Sequence, residues 1–137
     1  MPYLLDSDIV IDHLENVPDA VQLVSRLAPS GITMSIITYM EAYQGILRSP
    51  DRVVAEQRFS SFVHAVPVLP ISEDVARRCA GMREDLRKRG KRVRPRALDL
   101  LIAATSLELQ LTLVTRNTVD YEDVPDLSIM PLIGPGT

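Results

Sequence analysis

Residues 2–14 read PYLLDSDIVIDHL, a short apolar run followed at once by a carboxylate and then by a helical pattern. The run Tyr3–Leu5 predicts a buried strand that ends at Asp6, and the residues from about 8 to 15 predict a helix with Asp8 as its N-cap. A charge at this place is informative, because ligands of open parallel sheets bind beyond the carboxyl ends of the strands. We therefore expect Asp6 to be a functional ligand rather than a turn residue.

The rest of the chain alternates short apolar runs with longer segments of helical period. Further strands are predicted at 31–36, 66–70, 111–115 and 127–130. Because of its two prolines, the strand at 66–70 can only be an edge strand or a short one. Helices are predicted at 18–28, from an N-cap at Thr38, at 51–64, from an N-cap at Ser72 to about Arg89, and from Pro95. This alternation favours an α/β fold, with a parallel sheet of four to five strands covered on both faces by helices.

The length of 137 residues and the composition are those of a single globular domain over residues 1–137. Hydrophobic residues make up 46% and charged residues 24%, which excludes a disordered chain. The sequence has no run of about 18 uncharged apolar residues and no signal-peptide pattern, so we expect no membrane contact and a cytoplasmic location. The single Cys79 excludes an intrachain disulfide and a cysteine-based zinc site, and we expect it to be a small buried hydrophobe.

Positive charge is concentrated in residues 83–96, which read REDLRKRGKRVRPR. Eight basic residues and two acids give this stretch a charge of about +6, so the formal charge of −3 leaves about −9 on the remainder. Such asymmetry suits an acidic site beside a basic platform. A solvated helix face is the alternative interpretation, and the charge pattern alone leaves both open.

Asn117 and Asp120 fall just after the predicted strand that ends at Thr115. Glu41 lies one turn into the helix after the second strand, and Asp99 lies one turn into the helix before the fourth. If the sheet is wound as predicted, these side chains converge with Asp6 on one pocket. Ionised carboxylates about 4 Å apart repel by roughly 4 kcal/mol at an effective dielectric of 20, so the cluster requires a cation or shifted pKa values. Oxygen ligands without His or Cys indicate Mg²⁺ or Mn²⁺, and hydrolysis of phosphodiesters by metal-activated water.

Each acid also has an ordinary structural explanation. Asp6 would serve as a strand-end turn residue and Glu41 as an exposed helix residue, but both adjoin apolar residues. Asp99 is flanked by leucines, where an unpaired carboxylate is costly, so we interpret all three as functional. Triad-like spacing is absent around His13 and His64, and the sequence contains no P-loop or G-x-S-x-G motif.

Three stretches in this order resemble PIN-domain ribonucleases, closest to the VapC-type toxins of bacterial VapBC toxin–antitoxin pairs. They are LLDSDIVIDHL at 4–14, SIITYMEAYQGI at 35–46 and ALDLLIAATSLELQLTLVTRNTVDY at 97–121. The resemblance covers nearly the whole chain. Ser7 stands where Thr is frequent in the family, and Tyr121 stands where Phe is frequent.

The resemblance implies a PIN-like three-layer α/β/α sandwich and an endoribonuclease that depends on Mg²⁺ or Mn²⁺. It also implies a homodimer and a cognate VapB-type antitoxin whose tail covers the acidic site, typically with an Arg. Asp6 and Asp99 would be the main metal ligands, and Glu41 would help to bind the ion or orient its water. Many relatives have an acid where this chain has Asn117, whereas the acid here is Asp120, so the fourth position and the number of ions stay open.

An RNA substrate gives the basic stretch a function, since phosphate binding relies on Lys and Arg. The residues expected to contact the RNA backbone are Arg87, Lys88, Arg92 and Arg94.

Two other functions fit parts of the sequence. LLDSDIV also matches a strand and the first motif of a haloacid-dehalogenase-like phosphatase, with Asp6 as the nucleophile. That chemistry requires a later Lys, and no Lys follows Lys91. A housekeeping or inactive PIN-type RNA-binding domain is the other alternative, and Asn117 is the feature in its favour.

Overall fold

The computed structural model describes residues 2–133, and these form a five-stranded sheet between helices. Met1 and the Gly- and Pro-rich end at 134–137 lie outside the described residues. The elements are β1 (Tyr3–Leu5), α1 (Ser7–Leu14), α2 (Pro18–Leu27), β2 (Ile32–Ser35), α3 (Ile36–Leu47), α4 (Arg52–Ala65), β3 (Val68–Leu69), α5 (Glu73–Lys88), α6 (Ala97–Leu109), β4 (Thr112–Thr115) and β5 (Ile129–Pro131). Short 3₁₀ turns cover Ala28–Ser30, Arg94–Arg96 and Thr118–Tyr121.

The strands lie in the order β3-β2-β1-β4-β5, and every neighbouring pair is parallel. β1 is central, with Leu5 opposite Met34 of β2 on one side and Val114 of β4 on the other. Because the strands are parallel, the carboxyl ends of β1, β2 and β4 lie at the same edge of the sheet. The predicted α/β fold with a parallel sheet is confirmed.

Helices cover both faces of the sheet and create two apolar cores. Leu4 and Leu5 are both fully buried and point to opposite faces, since successive side chains of a strand alternate. Leu5 packs with residues of α1 to α4, such as Ile9 and Phe59, whereas Leu4 packs with α5 and α6, where Leu100 is fully buried. The three layers form an α/β/α sandwich.

The predicted N-cap of α1 is wrong by two residues. Asp6 rather than Asp8 is the N-cap, because the Asp6 backbone is extended and its side chain accepts a hydrogen bond from the Ser7 N–H at 2.8 Å. The Asp6 carbonyl also accepts from the Ile9 N–H at 3.1 Å. Asp8 therefore lies inside the first turn of the helix.

Two further helix starts differ from the sequence prediction. Ser35 caps α3 in place of Thr38, because the chain passes from β2 into the helix without a loop and the Ser35 hydroxyl accepts from the Ile37 N–H. Thr38 is fully buried within the helix. Pro95 lies in a 3₁₀ turn, and α6 begins two residues later.

Other predicted features are confirmed. The Ser72 hydroxyl caps α5, and Gly90 adopts a positive φ of 77° just beyond the end of that helix. β3 is both a short strand and an edge strand, which agrees with the prolines on either side of it, and Cys79 is buried in the second core. Between residues 2 and 133, none of the helices has the length and apolar character needed to span a membrane.

Candidate active site

Asp6 lies at the carboxyl edge of the sheet, between the ends of β1 and β4. Its side chain is buried, with 5% of the residue surface exposed. Oδ2 accepts hydrogen bonds from Thr115 Oγ1 at 2.8 Å and from Tyr121 Oη at 3.1 Å, while Oδ1 accepts from the Ser7 N–H. Burial and then the charge of Asp8 raise the pKa of Asp6 to about 7. A carboxylate is thus held in place by three donors at a position that disfavours its charge.

The first turn of α6 brings Asp99 to the same place. Asp99 Oδ1 lies 3.5 Å from Tyr121 Oη, the hydroxyl that also contacts Asp6. Burial, followed by the charges of Asp120 and Glu41, raises the pKa of Asp99. Folding therefore brings together the four acids that the sequence predicts to converge.

Two hydroxyl groups connect Glu41 on α3 to the start of α1. Ser7 Oγ donates to Glu41 Oε1 at 2.6 Å, and it lies 3.0 Å from Thr38 Oγ1. Because Ser7 follows Asp6 directly, the position of Glu41 is coupled to the end of β1.

The structure adds Asp8, which sequence reasoning assigned to a helix cap. Asp8 Oδ2 accepts hydrogen bonds from the backbone N–H of Arg116 at 2.9 Å and from Asn117 Nδ2 at 3.2 Å. Burial is the largest cause that raises the pKa of Asp8. Asn117 therefore lies against Asp8, whereas the charge of Asp120 acts on Asp99. The two candidates for the fourth position have different neighbours.

The donor chemistry of this edge fits a hard divalent cation, because all the candidate ligands are oxygens. Within residues 2–133, no three His, Cys, Asp or Glu side chains are arranged to hold an ion as they stand. At Asp6, for example, both carboxylate oxygens accept protein hydrogen bonds. Asp6 is thus held in place, so ion binding requires other carboxylates to move toward it, and it would relieve the repulsion that disfavours these charges.

Arg116 anchors the chain just after β4. Its Nε donates to Asp12 Oδ2 at 2.8 Å, and its two Nη atoms bind both carboxylate oxygens of Asp19. The side chain is only 14% exposed, and these hydrogen bonds, that of Asp19 first, raise the pKa of Arg116. Because the Arg116 N–H also holds Asp8, this cluster fixes the end of β4 to α1 and α2.

Some basic side chains of the stretch at 83–96 form ion pairs with acids among the described residues, and others do not. Arg96 binds the Asp123 carboxylate through both Nη atoms, at 2.8 and 2.7 Å. Arg87 pairs with an acid one turn earlier on the exposed face of α5. The other predicted RNA contacts are exposed and form no ion pair within residues 2–133: Lys88, Arg92 and Arg94.

This combination of fold and acids has known counterparts. A model of the PIN domain family matches residues 3–127. The chain belongs to the PIN domain family. Ribonuclease VapC1 of Haemophilus influenzae (strain R2866) is 30% identical over 93% of this chain and 95% of its own. The tRNA(fMet)-specific endonuclease VapC of Shigella flexneri is 30% identical over the same shares. VapBC-1 from nontypeable Haemophilus influenzae superposes with a TM-score of 0.81 at 28% identity, over 96% of this chain and 98% of that chain.

Membership of the PIN domain family confirms the resemblance seen in the sequence and sets aside the phosphatase alternative. Sequence reasoning on this PIN domain missed three residues that shape the site, namely Asp8, Thr115 and Arg116. The available signals were the second acid of the DSD motif and the TRN tripeptide at the end of β4. Neither pattern specifies a partner, because the partners are about 100 residues away in the sequence.

Replacing Arg116 with Ala is expected to lower the free energy of unfolding by about 3–5 kcal/mol. The change removes the cation that lies between two acids, one of which, Asp12, is 5% exposed, and breaking a buried ion pair has this cost. Urea unfolding measures the loss. Arg87→Ala is the matched control, because its bidentate pair with Glu84 is exposed and should contribute little. Equal losses in the two variants would contradict this account of the PIN domain.

The raised pKa of Asp6 predicts a pH-dependent stability for the ion-free protein. The folded protein holds a proton on Asp6 up to about pH 7, whereas the unfolded chain releases it near 3.8. This contribution to stability is complete at low pH and is lost as the pH rises through 7. Since one pKa unit corresponds to about 1.4 kcal/mol, ionising Asp6 costs on the order of 4 kcal/mol.

Asp6→Asn removes this ionisation. In the presence of EDTA, the variant should therefore gain stability relative to the wild type as the pH rises from about 5 to about 8. Asp85→Asn, at an exposed position on α5, is the control and should show no such trend. A pH-independent difference between Asp6→Asn and the wild type would show that Asp6 ionises normally.

Proposed function

We propose that this PIN domain is a Mg²⁺- or Mn²⁺-dependent endoribonuclease that acts as the toxin of a type II toxin–antitoxin pair. The observation that carries the proposal is the gathering of Asp6, Glu41, Asp99 and Asp120 at one edge of the sheet. Two similar proteins are named as a ribonuclease and an endonuclease. In this proposal the whole chain, residues 1–137, acts as a single domain.

Asp6 and Asp99 are the main ligands of the ion in this proposal, and Glu41 completes the set or orients a water molecule. Either Asn117, which lies against Asp8, or Asp120, whose charge acts on Asp99, fills the fourth position. When bound, the ion supplies charge neutralisation at the scissile phosphate and lowers the pKa of a water molecule.

The protein's own contribution is to hold a proton acceptor in place. The Ser7 hydroxyl fixes Glu41 Oε1, so the Glu41 carboxylate is oriented to accept a proton from the attacking water. The water oxygen bonds to phosphorus while the bond from phosphorus to the leaving ribose oxygen breaks. That oxygen takes a proton from solvent, and Glu41 returns the proton of the attacking water to solvent. Hydrolysis is the reaction class that this arrangement supports.

The exposed part of the basic stretch contacts the RNA backbone in this proposal. Lys88, Arg92 and Arg94 extend from the end of α5 and the loop after it, and that loop leads through Arg96 to the helix that carries Asp99. Phosphates bound at these side chains would thus lie on the same side of the sheet as α6. Arg87 would exchange its exposed partner Glu84 for a phosphate.

A cognate VapB-type antitoxin is the proposed protein partner. A related structure is of VapBC-1, and the resemblance identifies VapBC as toxin–antitoxin pairs. The acidic site supports this proposal, since a basic side chain from a partner would offset the same charges as a cation. A homodimer is proposed from the family resemblance, and the cytoplasm is the proposed location.

The purified protein should cleave RNA in the presence of Mg²⁺ or Mn²⁺ and lose this activity in EDTA. Asp6→Asn and Asp99→Asn should each reduce cleavage at least about 100-fold, because each removes a charged ligand of an ion that contributes several kcal/mol to the transition state, and about 1.4 kcal/mol corresponds to tenfold in rate. Labelled RNA and gel analysis measure the rate. Asp85→Asn, a charge change of the same size on the exposed face of α5, should cleave like the wild type.

Full cleavage by either site variant would overturn the proposal. Expression in cells provides a second readout, in which the wild type arrests growth and Asp99→Asn does not. Sequencing of the cleaved ends in total RNA then identifies the target. Cleavage without growth arrest would favour the housekeeping alternative.

Removing four basic side chains should weaken RNA binding and reduce its salt dependence. In this variant, Ala replaces Arg87, Lys88, Arg92 and Arg94. Each phosphate contact on a single strand contributes about 0.7 to the slope of log Kd against log salt, so the slope should fall by up to about 3. A control variant makes the same charge change on the other helical layer and loop, at Arg26, Arg48, Arg52 and Arg58. If both variants lower RNA affinity and the salt slope equally, residues 83–96 are a solvated helix face rather than an RNA contact.

A further inference from the structure

Tyr121 combines a core position with a hydroxyl group that reaches the acids. The residue is 1% exposed, and it belongs to the apolar core that contains Leu4 and Leu100. Its Oη lies 3.1 Å from Asp6 Oδ2 and 3.5 Å from Asp99 Oδ1. The hydroxyl therefore contacts both of the residues proposed as main ligands.

The phenol has one proton, so it donates to one carboxylate at a time, and the shorter distance favours Asp6. A hydrogen bond to a buried charge contributes more than one between neutral groups, because an unsatisfied buried charge is costly. This contribution is largest when no cation is present. A cation on the same carboxylates offsets their charge and reduces what the hydroxyl adds.

We propose that the Tyr121 hydroxyl partly substitutes for the cation and thereby lowers the affinity of the site for divalent ions. The inference rests on the proposed function, because it takes Asp6 and Asp99 as the ligands. A group that stabilises the ion-free form more than the loaded form weakens ion binding by the same free energy. Phe, which is frequent at this position in the family, has no hydroxyl. With Tyr121, this chain should therefore bind divalent ions less tightly than it would with Phe.

Tyr121→Phe tests the inference, because it removes the hydroxyl and keeps the ring in the core. Calorimetric titration of the RNA-free protein with Mg²⁺, at mildly alkaline pH where the acids are ionised, gives the affinity. We expect the variant to bind Mg²⁺ about three- to tenfold more tightly than the wild type. Its melting temperature should fall in EDTA, and this difference should narrow in saturating Mg²⁺.

Tyr43→Phe is the matched control. The Tyr43 hydroxyl also donates to a carboxylate, that of Glu56 at 3.2 Å, but at an exposed site between α3 and α4. Its removal should leave the affinity for Mg²⁺ unchanged. Comparing the two variants shows whether a change in Mg²⁺ affinity requires loss of the hydroxyl beside Asp6 and Asp99, or follows from loss of any tyrosine hydroxyl.

The outcomes separate this inference from the function on which it rests. If the wild type binds Mg²⁺ and Tyr121→Phe binds it equally or less tightly, the role of Tyr121 is overturned and the metal site stands. A loss of stability that is the same in EDTA and in Mg²⁺ leads to the same conclusion, since it indicates a purely structural hydroxyl. If the wild type binds neither Mg²⁺ nor Mn²⁺, the proposed function fails and the inference falls with it.

Discussion

The rest of the site depends on a carboxylate buried where β1 meets β4. Asp6 ends the central strand, caps α1 and accepts hydrogen bonds from Thr115 of β4 and from Tyr121. One side chain thus connects two strands, a helix and a 3₁₀ turn. The same burial that makes Asp6 a good structural centre raises its pKa, because a low-dielectric surrounding disfavours the charge. Precise placement and electrostatic cost therefore have one cause.

Arginines stabilise both ends of residues 116–123, the segment that follows β4 and includes the 3₁₀ turn Thr118–Tyr121. Arg116 holds its beginning through Asp12 and Asp19, and Arg96 holds its end through Asp123. Both guanidinium groups bind carboxylates that lie outside the set of predicted ligands. Arg96 also donates to the backbone oxygen of the acid at position 120, which leaves that carboxylate available to the site. The arginines thus fix the geometry through other carboxylates, and the charges of Arg96 and Arg116 also lower the pKa values of Asp99 and Asp8, against the larger effect of burial.

The sequence was sufficient for those features that depend on local patterns. Asp6 and Asp99 stand out because a charge beside a buried run has few explanations, and the alternation of strands and helices determines the fold class. The order of the strands in the sheet depends on how elements distant in the sequence pack together, and no local pattern contains that information. Asp8 was assigned to a cap because Asp6 and Asp8 both suit that position, and the extended backbone at Asp6 decides between them. Arg116 was missed because Asp12 and Asp19 lie 104 and 97 residues away.

The hydrogen bonds also indicate which ligands must move when the proposed ion binds. Asp6 is fixed by three donors and is almost fully buried, so its carboxylate has little freedom to rotate. The contact of Asp99 with Tyr121 is long, at 3.5 Å, whereas Glu41 Oε1 is held by the Ser7 hydroxyl at 2.6 Å. In the proposed site, Asp99 is therefore the ligand that would move toward the ion. Asp6 would set where the ion lies, and Glu41 would complete the ligand set or orient a water molecule.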